Sequence, residues 1–229
     1  MTDLDLIPER LAAVRALIDD ATKRAGKPAG SVRLVAVSKT KPAEAIRIAY
    51  AAGQRDFGEN YVQELADKAS ELADLPDIRW HFIGALQRNK AKKASSVAHI
   101  IHTVDRPDLA DELDRRAAAS GKQLDVLIEV NVAGEASKAG SSIDAFPLLL
   151  EQARRASHLR VLGLMAIPPM LDDPEAVRPY FARLRQLRDA HGGPAALPEL
   201  SMGMSHDFPV AIEEGATLVR VGTAIFGSR

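Results

Sequence analysis

Apolar strand segments that alternate with amphipathic helices are the feature that most limits the folds open to this chain. We count eight strand segments in 229 residues, each but the last clearly separated from the next by a helix. They are predicted at 34–37, around 55–58, at 78–83, 100–104, 125–132 and 161–167, near Leu200, and at 217–221. Strands that alternate with helices form a parallel sheet, and eight of them close into a barrel. The sequence therefore predicts an α/β protein with one (β/α)8 barrel domain, residues 1–229.

An open, doubly wound sheet is the alternative fold. It would be favoured by a glycine-rich dinucleotide fingerprint directly after the first strand. The one glycine-rich segment of this chain does not form that fingerprint there. The chain length is also that of a single barrel, which commonly needs roughly 200 to 250 residues.

Composition narrows the function classes. The 30 basic and 31 acidic side chains nearly cancel, which argues against a nucleic-acid-binding protein that works through its overall charge. The chain has no cysteine, so it has no thiol nucleophile and no thiolate metal site. Residues 1–5 are acidic rather than basic and apolar, unlike a signal peptide, and no apolar run reaches membrane-spanning length. We expect a cytoplasmic monomer with no membrane partner.

Lys39 stands at the carboxyl end of the first strand. On a period of two it shares the interior face with Val35 and Val37. Removing an ammonium group from water is costly, so such an amine is usually paired, lowered in pKa, or converted into a Schiff base. The alternative is an amine that reaches solvent and has no function.

The segments after the last two strands have the composition of an anion site. Ser201 to Ser205 are mostly small or hydroxyl-bearing residues, and Gly222 and Thr223 add amides and a hydroxyl. Phosphate in such barrels is often held by these two loops. Arg220 lies inside the eighth strand, where it must have a hydrogen-bond acceptor, and a structural carboxylate is the default partner.

Other polar residues carry weaker signals. Asn60 is placed to cap a helix that begins at Tyr61, and Tyr61 and Trp80 are predicted to be packing residues. A basic helix at 87–94 is interpreted as a solvated face, with anion binding as the alternative. None of the six histidines has metal-ligand spacing, so no metal site is predicted.

Six ordered blocks carry a resemblance to a known family that spans essentially the whole chain. The blocks begin at Ala36-Val37-Ser38-Lys39-Thr40, Phe57-Gly58-Glu59-Asn60-Tyr61, Trp80-His81-Phe82-Ile83-Gly84, Gly163-Leu164-Met165-Ala166, Ser201-Met202-Gly203-Met204-Ser205 and Val219-Arg220-Val221-Gly222-Thr223. Together they resemble the pyridoxal phosphate homeostasis proteins. Six matching blocks in order are far more specific than any single motif.

The resemblance implies a barrel like the N-terminal domain of alanine racemase, with pyridoxal 5'-phosphate bound as an internal aldimine to Lys39. It implies that Ser205, Gly222 and Thr223 hold the phosphate, with Ser201 in the same segment. Arg220 would face the pyridine nitrogen, and Asn60 would lie near the ring.

Three function classes remain open. The first is a protein that carries or buffers pyridoxal phosphate without strong catalysis, with transient contact to enzymes that lack their cofactor. The second is an amino-acid racemase, which would need an opposing acid or base; in alanine racemase a second domain supplies it. The third is a barrel for another ligand, such as a sugar phosphate. Lys138 and the basic helix at 87–94 are candidate docking or secondary phosphate sites.

Overall fold

The structure is a computed structural model that describes residues 3–135 and 138–228. The first two residues of the acidic N-terminal segment lie outside the described residues, as do 136, 137 and 229. Within the described ranges, no helix combines the length and the hydropathy that crossing a membrane requires.

Eight parallel strands pair in sequence order and close into a barrel, as predicted. The strands are β1 (Arg33–Val37), β2 (Asp56–Glu59), β3 (Arg79–Phe82), β4 (Ile100–Val104), β5 (Leu124–Glu129), β6 (Leu159–Met165), β7 (Glu199–Ser201) and β8 (Leu218–Val221). The barrel closes between β1 and β8, where Arg33 pairs with Leu218 and Ala36 pairs with Val221. All carboxyl ends therefore meet at one mouth.

Helices cover the outside of the barrel. They are α1 (Ile7–Arg24), α2 (Ala43–Ala51), α3 (Val62–Glu71), α4 (Ala91–Val97), α5 (Pro107–Ala119), α6 (Phe146–Arg155), α7 (Arg178–Ala190), α8 (Gly193–Ala196), α9 (Phe208–Glu213) and α10 (Thr223–Phe226). The buried faces recur at steps of three and four residues, as on Leu11, Val14 and Ile18 of α1. Most of the core lies between this helical layer and the sheet.

A second, smaller apolar cluster fills the inside of the barrel. Its buried members are Val35, Ile100, Leu127, Met165 and Leu218. They come from different strands, as expected where inward-facing side chains stack in layers. The barrel interior is therefore a packed core and not a channel.

Two predicted strands end earlier than expected. The fifth ends at Glu129 rather than at 132. Val130 still donates to the Met165 carbonyl of β6, but it pairs with Ser141 of the following loop in an isolated bridge. The sixth ends at Met165 rather than at 167. Two prolines follow at 168 and 169, and proline has no N–H to donate to a ladder.

Two local predictions are wrong. Asn60 does not cap the next helix, because α3 begins at Val62 after an extended Tyr61. The predicted helix at 87–94 is instead a 3-10 turn at Arg88–Lys90 followed by α4. The basic residues of this segment are exposed, as predicted for a solvated face.

Candidate functional site

A cavity of about 360 Å³ opens at the carboxyl ends of the strands. Its lining includes the predicted binding residues Lys39, Asn60, Ser205, Arg220, Gly222 and Thr223. Apolar side chains complete the wall, among them Val37, Ile83 and the exposed Met170. A wider groove of about 510 Å³ shares Asn60 and carries Lys90 and Lys93. The predicted residues thus meet at one mouth because each lies near or beyond the carboxyl end of a strand.

Lys39 lies two residues beyond the end of β1 and is half-buried. Its amine has no hydrogen-bond partner within the described part of the chain. The next residue, Thr40, has φ of 64°, which is uncommon for a β-branched side chain. The amide of Thr40 donates to Glu64 Oε1 at 2.6 Å, which holds this turn in place. The turn leaves the Lys39 amine at the cavity wall.

A buried ion network supports the Lys39 turn from behind. Lys68 Nζ donates to the Ser38 carbonyl, to Glu59 Oε1 and to Glu64 Oε1, each at 2.7 Å. Ser38 Oγ also donates to Glu59 Oε1 at 2.7 Å. Burial raises the pKa of Glu59, and the adjacent Lys68 ammonium opposes that rise. Sequence reasoning missed Lys68, although its spacing of four from Glu64 is a recognisable signal for a helical ion pair.

Arg220 is buried in β8, with its guanidinium group at the floor of the cavity. Its Nη1 donates to Ser201 Oγ at 2.6 Å, and its Nη2 donates to the Ala166 carbonyl at 3.0 Å. The default expectation of a carboxylate partner is therefore wrong. Burial lowers the pKa of Arg220 to about 10, and the charges of Glu129 and Asp207 oppose that fall. The guanidinium group remains charged at neutral pH.

Ser201 is the predicted binding residue that does not line the cavity. It is the last residue of β7 and is fully buried. Its hydroxyl group contacts Arg220 and His102 inside the barrel. Ser201 therefore lies beneath the cavity, because it belongs to the strand rather than to the loop that follows.

The loops after β7 and β8 come together as predicted. The amide of Gly222 donates to Ser205 Oγ at 3.3 Å. Gly203 has φ of 89°, and a Cβ there would lie 2.6 Å from the Ala211 side chain, so the turn requires glycine. Asp207 Oδ1 accepts from the Met204 amide at 2.6 Å and fixes the first loop. These contacts place hydroxyl and amide groups on one side of the cavity.

Asn60 lines the cavity with an unsatisfied oxygen. Its Oδ1 is buried and has no hydrogen-bond partner among the described residues. Its backbone passes so close to Gly84 that a Cβ there would lie 2.1 Å from the Asn60 carbonyl oxygen. A buried polar atom without a partner is costly, so a ligand that donates to it would be stabilised there.

Comparison with known proteins identifies the family. The family model described as alanine racemase, N-terminal domain, matches residues 10–229. A pyridoxal phosphate homeostasis protein of Aquifex aeolicus is 50% identical over 223 residues, covering 96% of this chain and 97% of its own. One from Pseudomonas aeruginosa is 48% identical over 227 residues, covering 99% and 97%. This chain belongs to the pyridoxal phosphate homeostasis protein family.

Solved structures agree with this assignment. PipY of Synechococcus elongatus with PLP bound has a TM-score of 0.83 at 41% identity, covering 96% of this chain and 100% of that one. Alanine racemase from Streptomyces coelicolor has a TM-score of 0.70 at 20% identity, covering 96% of this chain and 59% of that one. At this identity the likeness shows the fold alone. Both the resemblance found in the sequence and the predicted barrel are confirmed.

Two further residues, Glu129 and Tyr61, differ from what the sequence suggested. Glu129, which sequence reasoning missed, ends β5 and is 4% exposed. Burial and the Asp105 charge raise the pKa of Glu129 to about 7, with Arg220 opposing. The sequence signal that could have identified Glu129 is an acidic residue at the end of an apolar strand. Tyr61 was expected to pack but is 56% exposed, whereas Trp80 is buried as predicted.

Proposed function

We propose that this protein binds pyridoxal 5'-phosphate and carries or buffers it without strong catalysis of its own. The observation that carries the proposal is one cavity lined by a free primary amine, a buried guanidinium group and two hydroxyl- and amide-bearing loops. The PLP-bound PipY structure and the names of the homeostasis proteins support it.

The side chains present fit this cofactor. Its aldehyde reacts with primary amines with loss of water, and the Lys39 amine is unpartnered at the cavity wall. Ser205, Gly222 and Thr223 would hold the phosphate through hydroxyl and amide groups. The buried Oδ1 of Asn60 offers an acceptor beside the ring. When bound, the cofactor supplies an aldehyde and an electron-accepting ring.

Arg220 favours a carrier over an enzyme. A guanidinium group that stays charged donates a hydrogen bond to a ring nitrogen without giving up its proton, which weakens the ring as an electron sink. None of the three tyrosines lines the cavity, so none is placed as the opposing acid or base of a racemase. Tyr61 borders the neighbouring groove.

The same proposal covers location and partners. We propose a cytoplasmic monomer that hands pyridoxal phosphate to enzymes lacking it, in keeping with the homeostasis name of its relatives. The measurement is transfer from loaded protein to an apo-enzyme. Transfer faster than release into solution supports delivery, and transfer at the rate of release restricts the role to buffering.

Attachment at Lys39 tests the binding proposal. Protein loaded with pyridoxal phosphate is reduced with borohydride and digested, and mass spectrometry locates the added mass. We expect it on Lys39, and Lys39→Ala should lose both the adduct and the yellow absorbance. Lys41→Ala is the matched control, because the Lys41 amine bonds the Ser228 carbonyl. An adduct on Lys138 alone would contradict the assignment.

Exchange of the α-proton separates carrier from racemase. Loaded protein is mixed with an amino acid in heavy water, and deuterium uptake is followed by NMR. We expect negligible exchange by the wild type. Arg220→Glu should exchange faster if it still binds the cofactor, because a carboxylate favours the protonated pyridine ring. Rapid, stereochemically scrambling exchange by the wild type would put the racemase first.

A further inference from the structure

A continuous line of hydrogen bonds crosses the barrel interior beneath Arg220. Ser201 Oγ lies 2.6 Å from Arg220 Nη1 and 2.9 Å from His102 Nδ1. His102 Nε2 lies 2.9 Å from His81 Nδ1. His81 Nε2 lies 2.8 Å from Asp56 Oδ1. The line therefore uses both ring nitrogens of both histidines and ends on a carboxylate.

The line connects the two ends of the barrel. Asp56 is the first residue of β2, at the amino end, and its side chain is 16% exposed. Ser201, His81 and His102 are fully buried. Arg220 lines the cavity at the opposite mouth. A group that touches solvent at one end is thus joined to the cofactor cavity through the interior.

One arrangement of protons satisfies both ends when Asp56 is a carboxylate and both rings are neutral. Asp56 can then only accept, so His81 donates from Nε2 to Asp56 and accepts at Nδ1 from His102 Nε2–H. His102 Nδ1 in turn accepts the Ser201 hydroxyl proton, and Ser201 Oγ accepts from Arg220, whose guanidinium group can only donate. Each imidazole has one donor and one acceptor, which is the neutral form.

The charges at the site agree with this direction. Burial lowers the pKa of both His81 and His102, so both rings are neutral. Burial would raise the pKa of Asp56, but the hydrogen bond from His81 and the positive charges of Arg33 and Arg79 lower it overall. Asp56 is therefore a carboxylate that can only accept.

We propose that Asp56, His81, His102 and Ser201 are positioning residues for Arg220. Aligned hydrogen bonds polarise one another in a low-dielectric interior, so the Asp56 charge strengthens Ser201 as an acceptor for Arg220. With Nη1 held by Ser201 and Nη2 by the Ala166 carbonyl, the guanidinium group has one orientation toward the cavity. That orientation sets how it donates to the ring nitrogen of a bound pyridine cofactor, and this last step rests on the proposed function.

The direction of the line is tested first, on protein without cofactor. Two-bond ¹⁵N–¹H NMR on histidine-labelled protein distinguishes Nδ1–H from Nε2–H tautomers. We expect both His81 and His102 to be Nε2–H in the wild type. Asp56→Ala removes the terminal acceptor, so the ¹⁵N shifts of both rings should move, including His102 two links away. Wild-type rings that carry Nδ1–H would overturn the proposal.

The effect on the cavity is tested with pyridoxal phosphate labelled with ¹⁵N in the ring. Asp56→Ala and Ser201→Ala should both shift the ring ¹⁵N resonance and weaken cofactor binding roughly tenfold, as expected for one charge-assisted hydrogen bond. Both should keep the attachment at Lys39. Ser201→Ala is the second variant because it removes only one hydroxyl from the interior.

Asp125→Ala is the matched control. Asp125 is a carboxylate at the same end of the barrel, in β5, and it accepts from Arg160 outside the line. It should leave the histidine tautomers and the ring ¹⁵N resonance unchanged. If Asp56→Ala leaves the cofactor ring ¹⁵N resonance at its wild-type position, the hydrogen-bonded line only fills the core, and its positioning role is refuted. Failure of the wild type to bind the cofactor would refute the proposed function and the final step, while the tautomers would still report the direction of the line.

Discussion

Glu129, the last residue of β5, carries a buried carboxyl group that has no hydrogen-bond partner among residues 3–135 and 138–228. It is 4% exposed, so its charged form loses most of its hydration. Burial and the neighbouring Asp105 charge raise its pKa from 4.5 to about 7, although Arg220 opposes the rise. The protein therefore keeps a buried acid, within electrostatic reach of Arg220, whose pKa lies near neutral pH.

Glu129→Gln measures how much the charged form of this buried carboxyl group destabilises the folded protein. In the unfolded chain Glu129 loses its proton near 4.5, whereas in the folded protein it keeps the proton up to about 7. Stability from this group is therefore present at low pH and is lost as pH rises through that interval. We expect Glu129→Gln to raise the free energy of unfolding at pH 8 by about 2 to 3 kcal/mol, and much less at pH 5.

Urea unfolding of the cofactor-free protein at both pH values measures this difference. Glu151→Gln, at an exposed site on α6, is the control and should change the free energy of unfolding by less than about 0.5 kcal/mol at either pH. An equal effect of Glu129→Gln at pH 5 and pH 8 would show that the acid does not titrate in this interval.

At the scale of elements, the Lys68 network joins α3 to the carboxyl ends of β1 and β2. Lys68 is on α3, and its acceptors are the Ser38 carbonyl, Glu59 and Glu64. One buried ammonium group thus supports the turn that carries Lys39. Breaking a buried ion pair from one side leaves an uncompensated charge, which costs more than removing both partners.

Lys68→Met should lower the free energy of unfolding by about 3 to 5 kcal/mol at neutral pH. Without the Lys68 ammonium group, the pKa of Glu59 rises further above its value in the unfolded chain. The loss of unfolding free energy should therefore grow as pH rises from the unfolded pKa of Glu59 to its folded pKa. The double variant Lys68→Met with Glu59→Gln should be more stable than Lys68→Met alone, which urea unfolding measures. Lys92→Met, at an exposed site on α4, is the control. A double variant less stable than Lys68→Met would contradict the buried-charge explanation.

At the scale of the whole molecule, the sheet is unevenly paired around the barrel. β5 and β6 share six register pairs, whereas β7 and β8 share the single pair Ser201 with Leu218. The same two strands lead into the loops that would hold phosphate. The side proposed to hold phosphate is thus also the side with the fewest register pairs, as expected for a region that opens locally.

Native-state hydrogen exchange tests this difference. The amides of Met202 and Thr217, which bond across β7 and β8, should exchange faster than those of Leu127 and Ile128 in β5. Loading with pyridoxal phosphate should slow exchange at Met202 most, because a ligand that bridges the two loops stabilises the closed form. Equal protection of these four amides in the cofactor-free protein would contradict the proposal that β7 and β8 open locally.

The barrel and most of the site could be predicted because they depend on local patterns. Strand period and strand order place Lys39, Ser205 and Thr223 at one mouth whatever the details of packing. The sequence groups Ser201 with the phosphate loop because nothing in its neighbours marks where a three-residue strand ends. The position of Asn60 before a helix is a local signal for a cap, and it fails because α3 begins only at Val62. Its placement at the cavity comes from the family resemblance instead.

The sequence by itself determined the number of strands, their order and the residues that stand at their carboxyl ends. Only the tertiary structure decided which buried polar groups meet. His102 and Ser201 bond across 99 positions, and His81 and Asp56 across 25. The physical reason is that hydrophobic periodicity is read along one element, whereas a buried side chain finds its hydrogen-bond partner on another strand once the barrel has closed.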